Sequence, residues 1–78
     1  MAERRAISGI KTGRNGFSPR EYQVLGYLVQ GLPNQEIGVK LGIRSKTVAH
    51  HVTRILAKTG KSNRTQVAVE AVRRGWVD

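Results

Sequence analysis

Four apolar stripes with helical spacing, each stopped by a glycine, divide the greater part of the chain. Val24, Leu25 and Leu28 precede Gly31, and Ile37 and Leu41 precede Gly42. Val48, Val52, Ile55, Leu56 and Thr59 precede Gly60, and Val67, Ala68, Ala71 and Val72 precede Gly75. Apolar residues three and four apart share one helix face, and a glycine past the end takes the left-handed turn that closes it. No segment alternates with period two, so no strand is predicted and the expected fold class is all-α with four helices. At 78 residues the chain is one domain, of a size that buries roughly 60% of its unfolded surface. That is too small a core to enclose a large substrate cavity as well. Without cysteine, neither disulfides nor a Cys-based zinc site can supplement the core.

The first helix has the sharpest boundary. Ser18-Pro19-Arg20-Glu21 supplies a capping hydroxyl, a proline at the first helical position and a glutamate three residues after the cap, which together form a capping box. Phe17 and Tyr22 flank it as a hydrophobic staple. A short second helix is expected over Asn34 to Leu41, and after Gly42-Ile43-Arg44 a longer one from Ser45 to about Thr59. Asn63-Arg64-Thr65-Gln66 opens the last, and Trp76 is expected to fold back onto the core. Residues 1–16 show no sustained period and read as a flexible basic arm, followed by the domain proper at 17–78. The glycines of the arm make no phosphate loop, because no strand precedes them and no Gly-Lys-Ser/Thr follows.

Charge is distributed unevenly. The net charge is +9, which points to a polyanionic partner. Residues 44–65 hold Arg44, Lys46, Arg54, Lys58, Lys61 and Arg64 with no acid, and residues 1–20 hold five basic residues against Glu3. The long helix therefore carries the unbalanced charge, and the arm could reach neighbouring phosphates. No apolar run approaches the ~20 residues that span a bilayer, and the N-terminus lacks the apolar stretch of a signal peptide. His50 and His51 are adjacent, diverge by about 100° on a helix and cannot share a metal. The five acids assemble no catalytic pair or triad, so neither an enzyme nor a metal or cofactor site is expected.

A short helix, a tight glycine turn and a longer helix describe a helix-turn-helix, whose second helix enters the major groove. The stripe on the long helix leaves Lys46, Ala49, His50, Thr53, Ala57 and Lys58 pointing elsewhere. Charge and spacing alone leave open whether this is a groove-reading face or an ordinary wet one.

Residues 17–77 resemble the LuxR-type helix-turn-helix domain, of the NarL- and GerE-like kind. The resemblance is carried by Ser18-Pro19-Arg20-Glu21 with Val24-Leu25, Gly31-Leu32, Asn34-Gln35-Glu36-Ile37, Leu41-Gly42-Ile43, Lys46-Thr47-Val48, His51-Val52, Ile55-Leu56-Ala57-Lys58 and Asn63-Arg64-Thr65-Gln66, in order and register. Each piece is weak alone; the ordered set is specific. It implies a bacterial transcription regulator that binds double-stranded DNA as a homodimer, in the cytoplasm on the nucleoid. By position, Ala49, His50 and Thr53 would face base edges. Lys46, Thr47, Arg54, Lys58 and Lys61 would hold phosphates, and Gln66, Val69, Glu70 and Arg73 on the last helix would form the dimer face. His51 would be structural. Three departures stand out: Ala49 replaces a commonly basic residue, Pro33 replaces a capping Ser or Thr, and Arg44 replaces another cap and leaves that task to Ser45. A sensing domain usually precedes this module, so the chain is expected to be either a stand-alone regulator or an effector domain. A protein-interaction module docking on RNA polymerase or another regulator is the alternative class. Sigma-factor region 4 shares the fold, but Lys46-Thr47-Val48 and the Asn63–Gln66 run favour the LuxR type.

Overall fold

The protein is described here by a computed structural model covering residues 16–77; the expected arm over 1–15 and the terminal Asp78 lie outside the described residues. The order of elements is α1 (Pro19–Val29), α2 (Asn34–Leu41), α3 (Ser45–Thr59) and α4 (Arg64–Arg73), with no strand among the described residues.

Local sequence accounts for the boundaries. Ser18 Oγ accepts from the Glu21 amide at 3.1 Å and the Glu21 carboxylate accepts from the Ser18 amide at 3.0 Å, so the capping box forms in both directions. α2 begins at Asn34 with Pro33 in the capping position and no side-chain cap. α3 departs from expectation: its capping residue is Arg44, which makes no capping bond, and Ser45 is already the first helical residue. Asn63 caps α4 by accepting from the Gln66 amide at 2.9 Å.

The core draws on every helix: Val24, Leu25 and Leu28 from α1, Ile37 from α2, Val48, Val52 and Ile55 from α3, and Val67 and Ala71 from α4. α3 packs against all three other helices. Fully buried Leu25, Ile37 and Ile55 each contribute about 1.5–3 kcal/mol of transfer free energy. Trp76 does fold back: its amide donates to Ala71 O at 2.8 Å, and its ring meets Phe17 edge to face at 5.6 Å. Val72, placed on the core stripe by its spacing, is instead 60% exposed. α4 buries a single line through Val67 and Ala71, and the next residue is rotated about 100° off that line.

The α2–α3 turn depends on a residue that the apolar pattern passes over. Gly38 is buried in α2, and Ile43 N donates to its carbonyl at 2.9 Å as the chain reverses through Gly42, φ +70°. A Cβ on Gly38 would sit 2.5 Å from Ile43 O, a backbone atom that cannot swing away. Gly26 in α1 has open space at its Cβ. Gly38→Ala should therefore destabilise the domain by about 1–3 kcal/mol as the turn shifts, whereas Gly26→Ala should stabilise it by about 0.5–1 kcal/mol. Urea melts of the two variants test both signs; a neutral Gly38→Ala would show that the close approach is unimportant.

Candidate nucleic-acid interface

The same stripe that anchors α3 determines what it leaves outside. With Val48, Val52 and Ile55 buried, Ser45, Lys46, Thr47, Ala49, His50, Thr53, Arg54, Ala57 and Lys58 are exposed. The sequence-predicted base readers Ala49, His50 and Thr53 all lie on this open side. Thr53 Oγ1 donates to Ala49 O at 3.0 Å, which commits the hydroxyl proton to the helix and leaves its oxygen lone pairs and methyl for recognition. The adjacent histidines are separated by the helix: His50 is exposed, whereas His51 is half-buried and its Nδ1 is enclosed without a partner among the described residues.

The cations of residues 44–65 are not equivalent. Acids from other helices reach the window that carries none of its own. Lys58 Nζ lies 2.5 Å from Glu21 Oε1 and 2.7 Å from Gly16 O, and Arg54 Nε lies 3.3 Å from Glu21 Oε2. Lys61 Nζ is 3.8 Å from Glu70 Oε1. Arg64 donates to Asn34 Oδ1 at 2.5 Å and Leu32 O at 2.6 Å, tying α4 to the loop before α2. Arg44 and Lys46 have neither an ion pair nor a side-chain hydrogen bond within the described residues. Both belong to the uncapped beginning of α3, which has no acidic residue in its first turn.

Sequence reading assigned Glu21 only to the capping box and gave Arg64 no separate role. Spacing along the chain holds no signal for either tie, because the partners are 30–37 residues away. Glu21 is the described acid most removed from water, with a side chain 4% exposed. Burial, the largest influence, raises its pKa. The Lys58 and Ser18 hydrogen bonds and the charges of Lys58 and Arg54 outweigh it, so the carboxyl lies below its ordinary value of 4.5.

The residues that the resemblance assigns to a dimer face on α4 are chemically mixed. Val69 is 52% exposed and Arg73 is exposed. Glu70 is half-buried, drawn to Lys61, Arg73 and Arg74. Gln66 is exposed, yet its Oε1 accepts from Ser62 N at 2.8 Å. Val72 joins Val69 as a second exposed apolar residue on this helix.

An eight-residue helix, a turn closed by a left-handed glycine and a longer helix with an outward basic face define a helix-turn-helix domain. Residues 15–71 match the family model described as bacterial regulatory proteins, luxR family, and the chain belongs to that family of DNA-binding transcriptional regulators. It is 45% identical over 58 residues to the transcriptional regulatory protein DegU of Brevibacillus brevis, covering 74% of this chain and 25% of that protein. Against the DNA-binding transcriptional activator DevR/DosR of Mycobacterium tuberculosis (strain ATCC 25618 / H37Rv) it is 38% identical over 71 residues, covering 91% of this chain and 33% of that one. The chain thus spans about a quarter to a third of these relatives. The solved structure of the transcription factor GerE superposes with a TM-score of 0.69 at 32% identity, covering 76% of this chain and 88% of that one. Among the described residues, no helix is long and apolar enough to cross a membrane.

The Glu21 cluster makes stability acid-sensitive. A carboxyl whose folded pKa lies below its unfolded value contributes stability above the unfolded pKa and loses it as pH falls through the folded one. The gap in melting temperature between the wild type and Glu21→Gln should be widest above pH about 4.5 and close below it. A gap that stays constant down to pH 2 would show that the ion pairs add nothing to folding.

Proposed function

We propose that the chain is a sequence-specific, double-stranded-DNA-binding transcription regulator that places α3 in the major groove and binds as a homodimer through α4. Its place of work on this reading is the nucleoid in the cytoplasm, and no cofactor is invoked. The observation that carries the reading is the outer face of α3. Small Ala49, His50 and Thr53 lie exposed between cations, on a helix whose opposite side is held in the core. Short side chains allow the close approach that base edges require, and flanking phosphate contacts set register without reading sequence. Lys46, Thr47, Arg54, Lys58 and Lys61 flank these readers on the side proposed for the phosphates; Lys58 and Lys61 are already paired with Glu21 and Glu70, whereas Lys46 has no partner among the described residues. The dimer face is proposed over Gln66, Val69, Glu70 and Arg73. Val69 is its apolar centre, and Glu70 acts through the arginines that it holds.

Mobility shifts on duplex DNA across a salt series test the reading at its root, since each neutralised phosphate adds about −0.9 to the slope of log affinity against log salt. Failure to shift any duplex at low salt would overturn it and favour a protein-docking module. Lys46→Ala should weaken binding to all sequences alike and flatten the slope by about 1. His50→Ala should relax one base position, at a cost of about 1–3 kcal/mol against the preferred sequence. Selection from a randomised duplex pool separates the two; identical selected sites and slopes would refute this division of roles. Val69→Glu should abolish two-protomer complexes on a repeated site while single-protomer complexes persist, because an apolar contact is replaced by an unpaired charge.

A further inference from the structure

Glu21 faces the DNA-binding helix from behind, and its two oxygens take different cations of that helix. Oε1 meets Lys58 at 2.5 Å and Oε2 meets Arg54 at 3.3 Å. The two contacts differ in what they leave free. Lys58 commits its ammonium to Glu21 and to Gly16 O, two of its three donors. Arg54 pairs through Nε alone, and its side chain remains 66% exposed, which leaves its four other donors without a partner among the described residues.

We propose that Glu21 is a positioning residue for DNA binding: an internal counter-ion that withholds Lys58 from the DNA phosphates. The proposal rests on the DNA-binding reading of α3. A phosphate competing for Lys58 would have to leave a carboxylate that is 4% exposed without its nearest cation. In return it would gain a solvent-screened contact at the surface. Stripping a buried charge of its partner is the larger cost, and exposed ion pairs are worth little. Lys58 therefore stays with Glu21, and α3 neutralises fewer phosphates than its count of cations implies. Lys46, with no partner among the described residues, has no such competitor there.

The experiment measures binding of a mixed-sequence duplex by fluorescence anisotropy over a salt series, for the wild type, Glu21→Gln and Glu36→Gln. Glutamine in the third helical position keeps the capping box, and circular dichroism checks the fold. Glu36 is exposed on α2, so Glu36→Gln makes the same change in net charge without releasing a cation of α3. Glu21→Gln should steepen the slope by about 0.9, one additional phosphate, while Glu36→Gln leaves it at the wild-type value. A wild-type slope for Glu21→Gln, or equal steepening in both variants, overturns the proposal. Should Glu21→Gln fail to fold, Lys58→Met must flatten the slope less than Lys46→Ala does, and equal flattening overturns it. If the wild type binds no duplex, the DNA reading is what fails. The counter-ion role is then read on a heparin column, where Glu21→Gln must elute at higher salt than Glu36→Gln and co-elution overturns it.

Discussion

The carboxylate of Glu21 joins three parts of the chain that would otherwise be set independently. It accepts from the Ser18 amide and so fixes the start of α1, and it pairs with Arg54 and Lys58 and so fixes α3 against α1. Through Lys58 it also holds the carbonyl of Gly16, where the chain enters the domain. A carboxylate so removed from water is tolerable only when fully partnered. Glu21 has that complement of partners, and they hold its pKa below the ordinary value against the opposing effect of burial. The orientation of α3 is thus specified by a polar constraint on one side and by Val48, Val52 and Ile55 on the other.

α3 is both the centre of the core and the helix with the exposed basic face, and this double duty explains why so small a domain can present a functional surface. Its buried stripe packs against α1, α2 and α4, which leaves the remaining arc exposed. The close turn that delivers α3 to this position is possible because Gly38 lets Ile43 O approach where a Cβ would stand. On the far side, Arg64 repeats the logic with a neutral partner, drawing Asn34 and the Leu32 carbonyl to the start of α4. α1 is thus tied to α3, and the start of α2 to the start of α4, by cations.

Helix identity was legible in the sequence because it is a local property. The capping box, the Asn63 cap and the left-handed glycines at 42 and 60 each act within four or five residues, and the observed helices begin and end where those signals place them. The open face of α3 was legible for the same reason, since burial of the stripe fixes what lies opposite. Tertiary pairing was not legible. The window at 44–65 looks uncompensated along the chain, yet Glu21 and Glu70 reach into it from α1 and α4. Val72 is exposed because the apolar set Val67, Ala68, Ala71 and Val72 admits more than one buried line, and contact with the rest of the core chose the line through Val67 and Ala71. Ser45 was misplaced as a cap because composition favours a hydroxyl there, while the backbone turns helical one residue earlier.

The compensation of charge has a direction along α3. Its later half is countered in part from behind: Glu21 pairs with Arg54 and Lys58, and Glu70 pairs with Lys61 just beyond the helix. Its first turn has no acid and no side-chain cap, and Arg44 and Lys46 stand there without partners among the described residues. Uncapped amides and the positive end of the helix dipole add to those charges. The potential along the helix is consequently graded, strongest at the N-terminal end and tempered toward the C-terminal end. A uniform field would hold a polyanion in any register along the helix. Under the proposed function, a graded one would favour the register in which the backbone of the nucleic acid crosses the first turn, with the proposed readers His50 and Thr53 over the bases beyond it. On this view the internal acids are part of the recognition apparatus, because they decide which end of a uniformly basic sequence acts as basic.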